Sequence, residues 1–260
     1  MQAWILVASA VFVLWVASLC KILHAACSSF KDSHLTNGVL FHKKSILLVI
    51  AHPDDESMFF TPTLNYLTSR GHNVHIICLS TGNSDSLGDT RKAELYDACA
   101  ILQVPLKQVK IIDHMDLQDG FGKMWNHTLV AEIVKEEVIS RAIDLVITFD
   151  RYGVSGHCNH RDVHFGVRKV WIDLQERNIE AWELVSTNIL RKYSGPVDIW
   201  ISMLFAMPHL NKEAHCLLNE HPVRSYRAMA QHASQWVWFR KLFVSFSSYT
   251  YVNTLQKIKV

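Results

Sequence analysis

The 260-residue sequence predicts an α/β fold: a mostly parallel sheet with helices on both faces, preceded by one N-terminal transmembrane helix. Three observations carry that prediction. Four short, β-rich apolar runs recur along the chain, helix-patterned segments separate them, and a long uncharged apolar stretch precedes them all. Strands alternating with helices call for parallel pairing through helical crossovers, and continuous apolar runs fit strands covered on both faces.

The opening stretch, Met1 to Cys20, has no charged residue and is dominated by Ala, Val, Leu, Ile and Trp. As a helix it would be about 30 Å long at ~1.5 Å per residue, enough to cross a bilayer core. A cleavable signal peptide would need a basic segment ahead of the apolar run; none precedes it, so residues 1–22 are expected to be an uncleaved anchor. Lys21, Lys31, Lys43 and Lys44 follow, and the positive-inside rule then places the remainder in the cytosol. In that orientation the sequon Asn126-His127-Thr128 is expected to stay unmodified. Residues 23–44 read as a connector, and 45–260 as the domain that carries the chemistry.

Ser45 to Ile50 is the first predicted strand, followed by a helix over about 56–70 that ends at Gly71, a residue suited to the C′ position. Asn73 to Ser80 is the second strand, and a Gly/Ser/Asn/Asp-rich loop follows over 81–89. Residues 90–102 have helical spacing through Leu95, Cys99 and Leu102. A strand at 109–112, a helix at 126–140 and a fourth strand at 144–149 complete the pattern.

Composition narrows the class. Apolar residues make up 49% and charged residues 19%, which excludes a disordered chain, and a net charge of +2 excludes nucleic acid as the main partner. The six cysteines lack CxxC pairing and sit largely in apolar surroundings, as reduced thiols do.

Ligands of open α/β sheets bind beyond the carboxyl ends of the strands, and both chemical motifs fall there. After the first strand comes Ala51-His52-Pro53-Asp54-Asp55-Glu56. A helix start with Asp55 as N-cap explains the acids but not the histidine. Pro53 holds His52 extended, and adjacent Asp54 and Asp55 project in different directions, so one can bind a metal while the other faces water. After the fourth strand, Gly153-Val154-Ser155-Gly156-His157-Cys158-Asn159-His160 supplies two histidines at i, i+3, and His164 would extend their face if the segment is helical. Sequence spacing does not decide which two of the three matter. A His/Asp/His set leaves a fourth position open to water, as in a catalytic zinc site. The leftover carboxylate and histidine would then serve as base and oxyanion donor.

The Ala-His-Pro-Asp-Asp-Glu run with a later His-x-x-His resembles the LmbE-like zinc de-N-acetylases, which have a Rossmann-like fold. The match extends through Met58-Phe59-Phe60, Thr90 to Leu95, Val154 to His160, Asn188 to Tyr193 and Trp238-Phe239-Arg240. The resemblance implies zinc, or another divalent metal, on His52, Asp55 and His160. It makes Asp54 the general base and His157 the oxyanion donor or the acid for the leaving amine. Asn159 stands where relatives often carry an acid, so a carboxylate tuning His157 is expected to be missing. Within the family the match is to members acting on a glycolipid. It therefore implies N-acetylglucosaminyl-phosphatidylinositol as substrate, the second step of GPI-anchor synthesis, and the endoplasmic reticulum membrane as location.

Other signals have simpler explanations. An i, i+3 salt bridge accounts for Arg91 and Glu94, an ordinary βα loop for Thr81-Gly82-Asn83, and a helix-surface position for His232 as well as a substrate contact does. The aromatic stretch Trp236 to Tyr251 reads as core first and as a membrane-surface helix second. The run Ile199 to Met207 is too short to span a bilayer. Three rival functions remain: a deacetylase of soluble N-acetylglucosaminides, a nucleotide-binding module, and a catalytically dead membrane scaffold. No GxGxxG follows the first strand, and the acids there would repel a pyrophosphate.

Overall fold

Ser45–Ile50 (β1) is an interior strand of a seven-stranded sheet in the computed structural model, which describes residues 2–28, 43–120, 122–174, 177–207 and 213–259. β1 pairs in parallel with Asn73–Cys78 (β2) and Leu145–Phe149 (β4). β2 pairs with Val109–Ile111 (β3), and β4 with Glu180–Leu184 (β5), both in parallel. The predicted parallel α/β sheet is present. The far edge departs from it: Val252–Lys257 (β7) runs antiparallel to β5, and Ala214–Leu218 (β6) antiparallel to β7. The order β3-β2-β1-β4-β5-β7-β6 puts the reversal of strand order between β1 and β4, where open α/β sheets place their ligands.

Alternation along β1 separates the two cores. Ile46, Leu48 and Ile50 face one of them. Its helices are Asp55–Phe59 (α2), Thr61–Ser69 (α3), Gly88–Ile101 (α4), Pro222–Gln231 (α10) and Trp238–Phe246 (α11). Leu47 and Val49 face the other core, built on His127–Ser140 (α5) and Cys158–Asp173 (α7). The helix expected over 56–70 is two helices. Pro62 lies in the first turn of α3; it has no N–H to give the carbonyl four residues back, so the chain restarts a helix at Thr61 instead of continuing α2. Gly71 has φ +72, as a C′ residue requires.

α1, Gln2–Ser28, runs past the expected anchor boundary; residues 29–42 of the expected connector lie outside the described residues. Trp4–Ile22, with mean hydropathy 2.3, is long and apolar enough to cross a membrane. Its N-terminal part is exposed. Near its end Ile22 is buried with Ile199, Tyr251 and Val252, which ties α1 to the domain. Ile189–Lys192 (α8) and Asp198–Phe205 (α9) follow β5.

Candidate active site

The carboxyl end of β1 delivers His52, Asp54 and Asp55 into a buried cluster. Asp54 has φ 118, a strained conformation for a residue with a side chain. The surroundings hold it there: its backbone N–H donates to Glu56 Oε2 at 3.1 Å, and Glu56 Oε1 is 2.6 Å from His232 Nε2. His232 is therefore fully buried and braces Glu56; it is not a helix-surface residue. Burial alone would lower the pKa of His232, but Glu56 raises it above the ordinary value. Helix α2 begins at Asp55, so the cap position is Asp54 and not Asp55. The Asp55 side chain turns back to the strand end, where Oδ2 accepts from Ala51 N at 3.0 Å and His52 N at 2.8 Å.

The segment after β4 brings the two histidines. Its turn, Gly153–Gly156 (α6), places Gly153 at φ +61, and a Cβ there would lie 3.0 Å from His160 Cβ. His157 is the N-cap of α7, with extended ψ of 128, so it is outside the helix that carries His160. The expectation of a shared helical face fails there, yet the two rings still lie 4.9 Å apart. His164 points away, its Nδ1 3.1 Å from Phe149 O and 3.2 Å from Glu183 Oε2.

Tautomers can be assigned from the partners. His160 Nδ1 faces the Gly153 carbonyl at 3.1 Å and so donates to it, leaving a lone pair on Nε2. That lone pair faces Asp55 Oδ1 at 3.1 Å. His52 Nε2 faces two acceptors, Asn159 Oδ1 at 3.1 Å and Asp119 Oδ1 at 3.2 Å, so it carries the proton. The amide of Asn159 is fixed by donating to Lys123 O at 2.7 Å. His52 Nδ1 is then a second lone pair, 3.8 Å from Asp55 Oδ2.

Acceptors turned toward one another in a buried site need a cation between them. Ligand bonds of about 2.0–2.2 Å in a tetrahedron separate donor atoms by about 3.3–3.6 Å, close to the 3.1 Å between His160 Nε2 and Asp55 Oδ1. The donor set fits a divalent metal. Ligand atoms of His52, His157 and His160 lie within 4.8 Å of one another, so His157 is also close enough to compete for a place. His157 Nδ1 and Asp54 Oδ2 are buried without a hydrogen-bond partner.

Electrostatics separate the two aspartates. Burial raises the Asp54 pKa despite Arg91 and Arg240, whose guanidinium groups stand 3.6 and 3.4 Å from Oδ2. Burial pushes Asp55 the same way, but positive charge on its His160 and His52 side, carried by the rings or by a cation between them, and the His52 backbone N–H hold it well below the carboxylate range. Burial and the neighbouring His52 and His160 push His157 down to about 4, so its ring is neutral at pH 7.

Two expectations are corrected. Arg91 and Glu94 do not pair: Arg91 donates to Pro53 O, Gly82 O and Asp119 Oδ2, while Glu94 accepts from Ser234. Asn159 acts on His52 and not on His157. A carboxylate reaches His52 instead: Asp119, from the loop after β3, with its pKa lowered to about 2 by His52 and Arg91 against the effect of burial, while His157 Nδ1 has no such partner. Asp119 was not legible in the sequence; its one signal is an acid beyond the carboxyl end of a parallel strand.

A strained aspartate beside a histidine cluster at the β1/β4 switch point has the donor set of a candidate metal centre in an α/β fold. Residues 47–171 match the family model described as GlcNAc-PI de-N-acetylase. The chain is 33% identical to a probable N-acetylglucosaminyl-phosphatidylinositol de-N-acetylase of Dictyostelium discoideum, over 84% of this chain and 94% of the relative. It is 38% identical to the Bos taurus enzyme of the same name, over 80% and 81% of the two chains. The chain belongs to the GlcNAc-PI de-N-acetylase family. Its fold is similar to that of N,N'-diacetylchitobiose deacetylase from Pyrococcus horikoshii, with TM-score 0.62 at 14% identity and 92% of each chain covered. It is also similar to the zinc-inhibited form of teicoplanin deacetylase Orf2, with TM-score 0.55 at 12% identity over 83% of this chain and 99% of that one.

Proposed function

We propose that this chain hydrolyses the acetamide of N-acetylglucosaminyl-phosphatidylinositol to acetate and glucosaminyl-phosphatidylinositol, the second step of GPI-anchor synthesis. The carrying observation is the pair of adjacent aspartates with opposed environments beside convergent histidine lone pairs. In this reading zinc sits on His52, Asp55 and His160. Asp55 fits as ligand because its other oxygen is fixed by two backbone amides, while the Asp54 oxygen is left free. A divalent metal there would supply Lewis acidity toward water and the acetyl carbonyl.

The chain's own groups do the rest. Asp54 Oδ2, between Arg91 and Arg240, takes a proton from the water that attacks the acetyl carbon. His157, with Nδ1 unpartnered, donates a hydrogen bond to the carbonyl oxygen as it becomes negative. The C–N bond then breaks, the proton held by Asp54 passes to the departing amine nitrogen, and acetate leaves. Asp119 and the Gly153 carbonyl orient the two histidines.

In the same reading residues 1–22 anchor the chain, 23–44 connect, and 45–260 form the catalytic domain, single-pass in the endoplasmic reticulum membrane and facing the cytosol. The apolar length of Trp4–Ile22 supports the anchor, and the lysines after it support the orientation. The test is acetate release by zinc-loaded full-length chain in detergent. N-acetylglucosaminyl-phosphatidylinositol should be turned over at least tenfold faster, per enzyme, than a soluble N-acetylglucosaminide at equal concentration. Preference for the soluble compound would reject the glycolipid assignment.

A further inference from the structure

Two short helices at the rim of the Asp54 site turn outer faces away from the protein. On α11, Phe243 and Val244 are buried and Arg240 reaches Asp54 at 3.4 Å, while Trp238 and Leu242 are 72% and 50% exposed. On α8, Lys192 Nζ donates to the Val154 carbonyl at 2.9 Å, in the turn that leads to His157, while Leu190 is 81% exposed. Neighbouring α9 exposes Ile201 and Leu204. Exposed apolar residues scattered singly need no explanation; groups of them mark an interaction surface.

These helices adjoin one another and the anchor. Tyr193, just after α8, stands edge-on to Phe243 of α11, with ring centroids 6.2 Å apart. A Cβ on Gly195 would meet both Trp15 of α1, at 3.5 Å, and the Phe246 carbonyl of α11, at 3.4 Å. On α9, Trp200 Nε1 donates to Ser18 Oγ of α1 at 2.9 Å, and Lys21 lies over the same ring at 4.7 Å. The apolar surface is thus continuous with the helix long enough to cross a membrane, and it carries the Trp, Tyr, Arg and Lys mixture that suits the lipid–water interface.

We propose that α8, α9 and α11 form a second membrane face, inserted shallowly beside the anchor, which holds the rim of the Asp54 site at the lipid headgroups. This rests on the membrane reading given above and extends it: a tether alone would leave the domain free to turn, whereas a seated face fixes the site toward a headgroup whose acyl chains stay in the bilayer. The occupant is lipid, because the face runs on from α1 and not from a surface paired with protein.

The test uses the full-length chain in phosphatidylcholine vesicles whose acyl chains carry a photoactivatable diazirine, with adducts mapped by mass spectrometry. Adducts on 189–193, 200–205 and 238–246 are expected at least tenfold above those on Leu106 and Met115, which are 55% and 83% exposed near the opposite edge of the sheet. Adducts on α1 alone would overturn the second face while keeping the anchor. An absence of adducts on α1 as well would overturn both.

Discussion

Asp119→Asn perturbs the orientation of His52, the proposed metal ligand, without touching the proposed metal position. His52 Nε2 donates toward both Asp119 and Asn159, at 3.2 and 3.1 Å. The variant leaves Asn159 in place but removes the anionic acceptor that raises the basicity of His52. Losing such a partner costs roughly 10–100-fold in metal affinity. With one acceptor retained, the single variant belongs at the lower end, about 10-fold, or about 1.4 kcal/mol. Asp119→Asn with Asn159→Leu removes both acceptors and should reach about 100-fold. Zinc affinity is measured by competition with a chromophoric chelator on the full chain in detergent, with thermal unfolding of the metal-free proteins as a folding control. Unchanged affinity in the double variant, with the fold intact, would refute the assignment of His52 as a ligand oriented by those groups.

Three further outcomes follow from the packing and the charges. A Cβ on Gly166 of α7 would collide with Val130 Cγ1 of α5, so Gly166→Ala should lower stability by about 1–2 kcal/mol, the cost of overpacking less the gain in helix propensity. In a Val130→Ala background that penalty should shrink without vanishing, because Cβ of residue 130 stays 2.7 Å from the added atom; an equal Tm loss in both backgrounds would contradict it. His72 accepts from the Lys44 backbone N–H at 3.2 Å, and burial, with Arg70 and Lys44, lowers its pKa. Its contribution is therefore present above the free imidazole value of about 6.5 and lost as pH falls below it. Between pH 7.5 and 5.5 the wild-type Tm should fall further than that of His72→Asn, which keeps an acceptor but cannot be protonated; parallel falls would refute this. Chelation of the metal should abolish acetate release and added zinc restore it, with no restoration counting against the metal centre.

The sequence made β1 to β4 legible because buried strands leave mostly apolar runs, as in Ser45–Ile50 and Leu145–Phe149, whereas the parallel strand β5, with Glu180 and Glu183 in it, left none. The antiparallel edge left no such run: β6 and β7 keep polar residues such as His215, Asn253 and Gln256. His52, Asp54, Asp55, His157 and His160 were legible because they sit in two compact motifs just past strand ends. Asp119 and His232 were not. Each reaches the site from an irregular segment far along the chain, Asp119 through His52 and Arg91 and His232 through Glu56. The exposure of α11 was also hidden, since helical spacing looks the same whether an apolar face meets protein or lipid.

The most direct test of the catalytic assignment compares acetate release from N-acetylglucosaminyl-phosphatidylinositol by wild type and Asp54→Asn, each with its zinc content measured. At equal zinc the variant should lose about 10²–10⁴-fold in kcat. Equal turnover by the two proteins would contradict Asp54 as the base, and with it the division of roles between the paired aspartates.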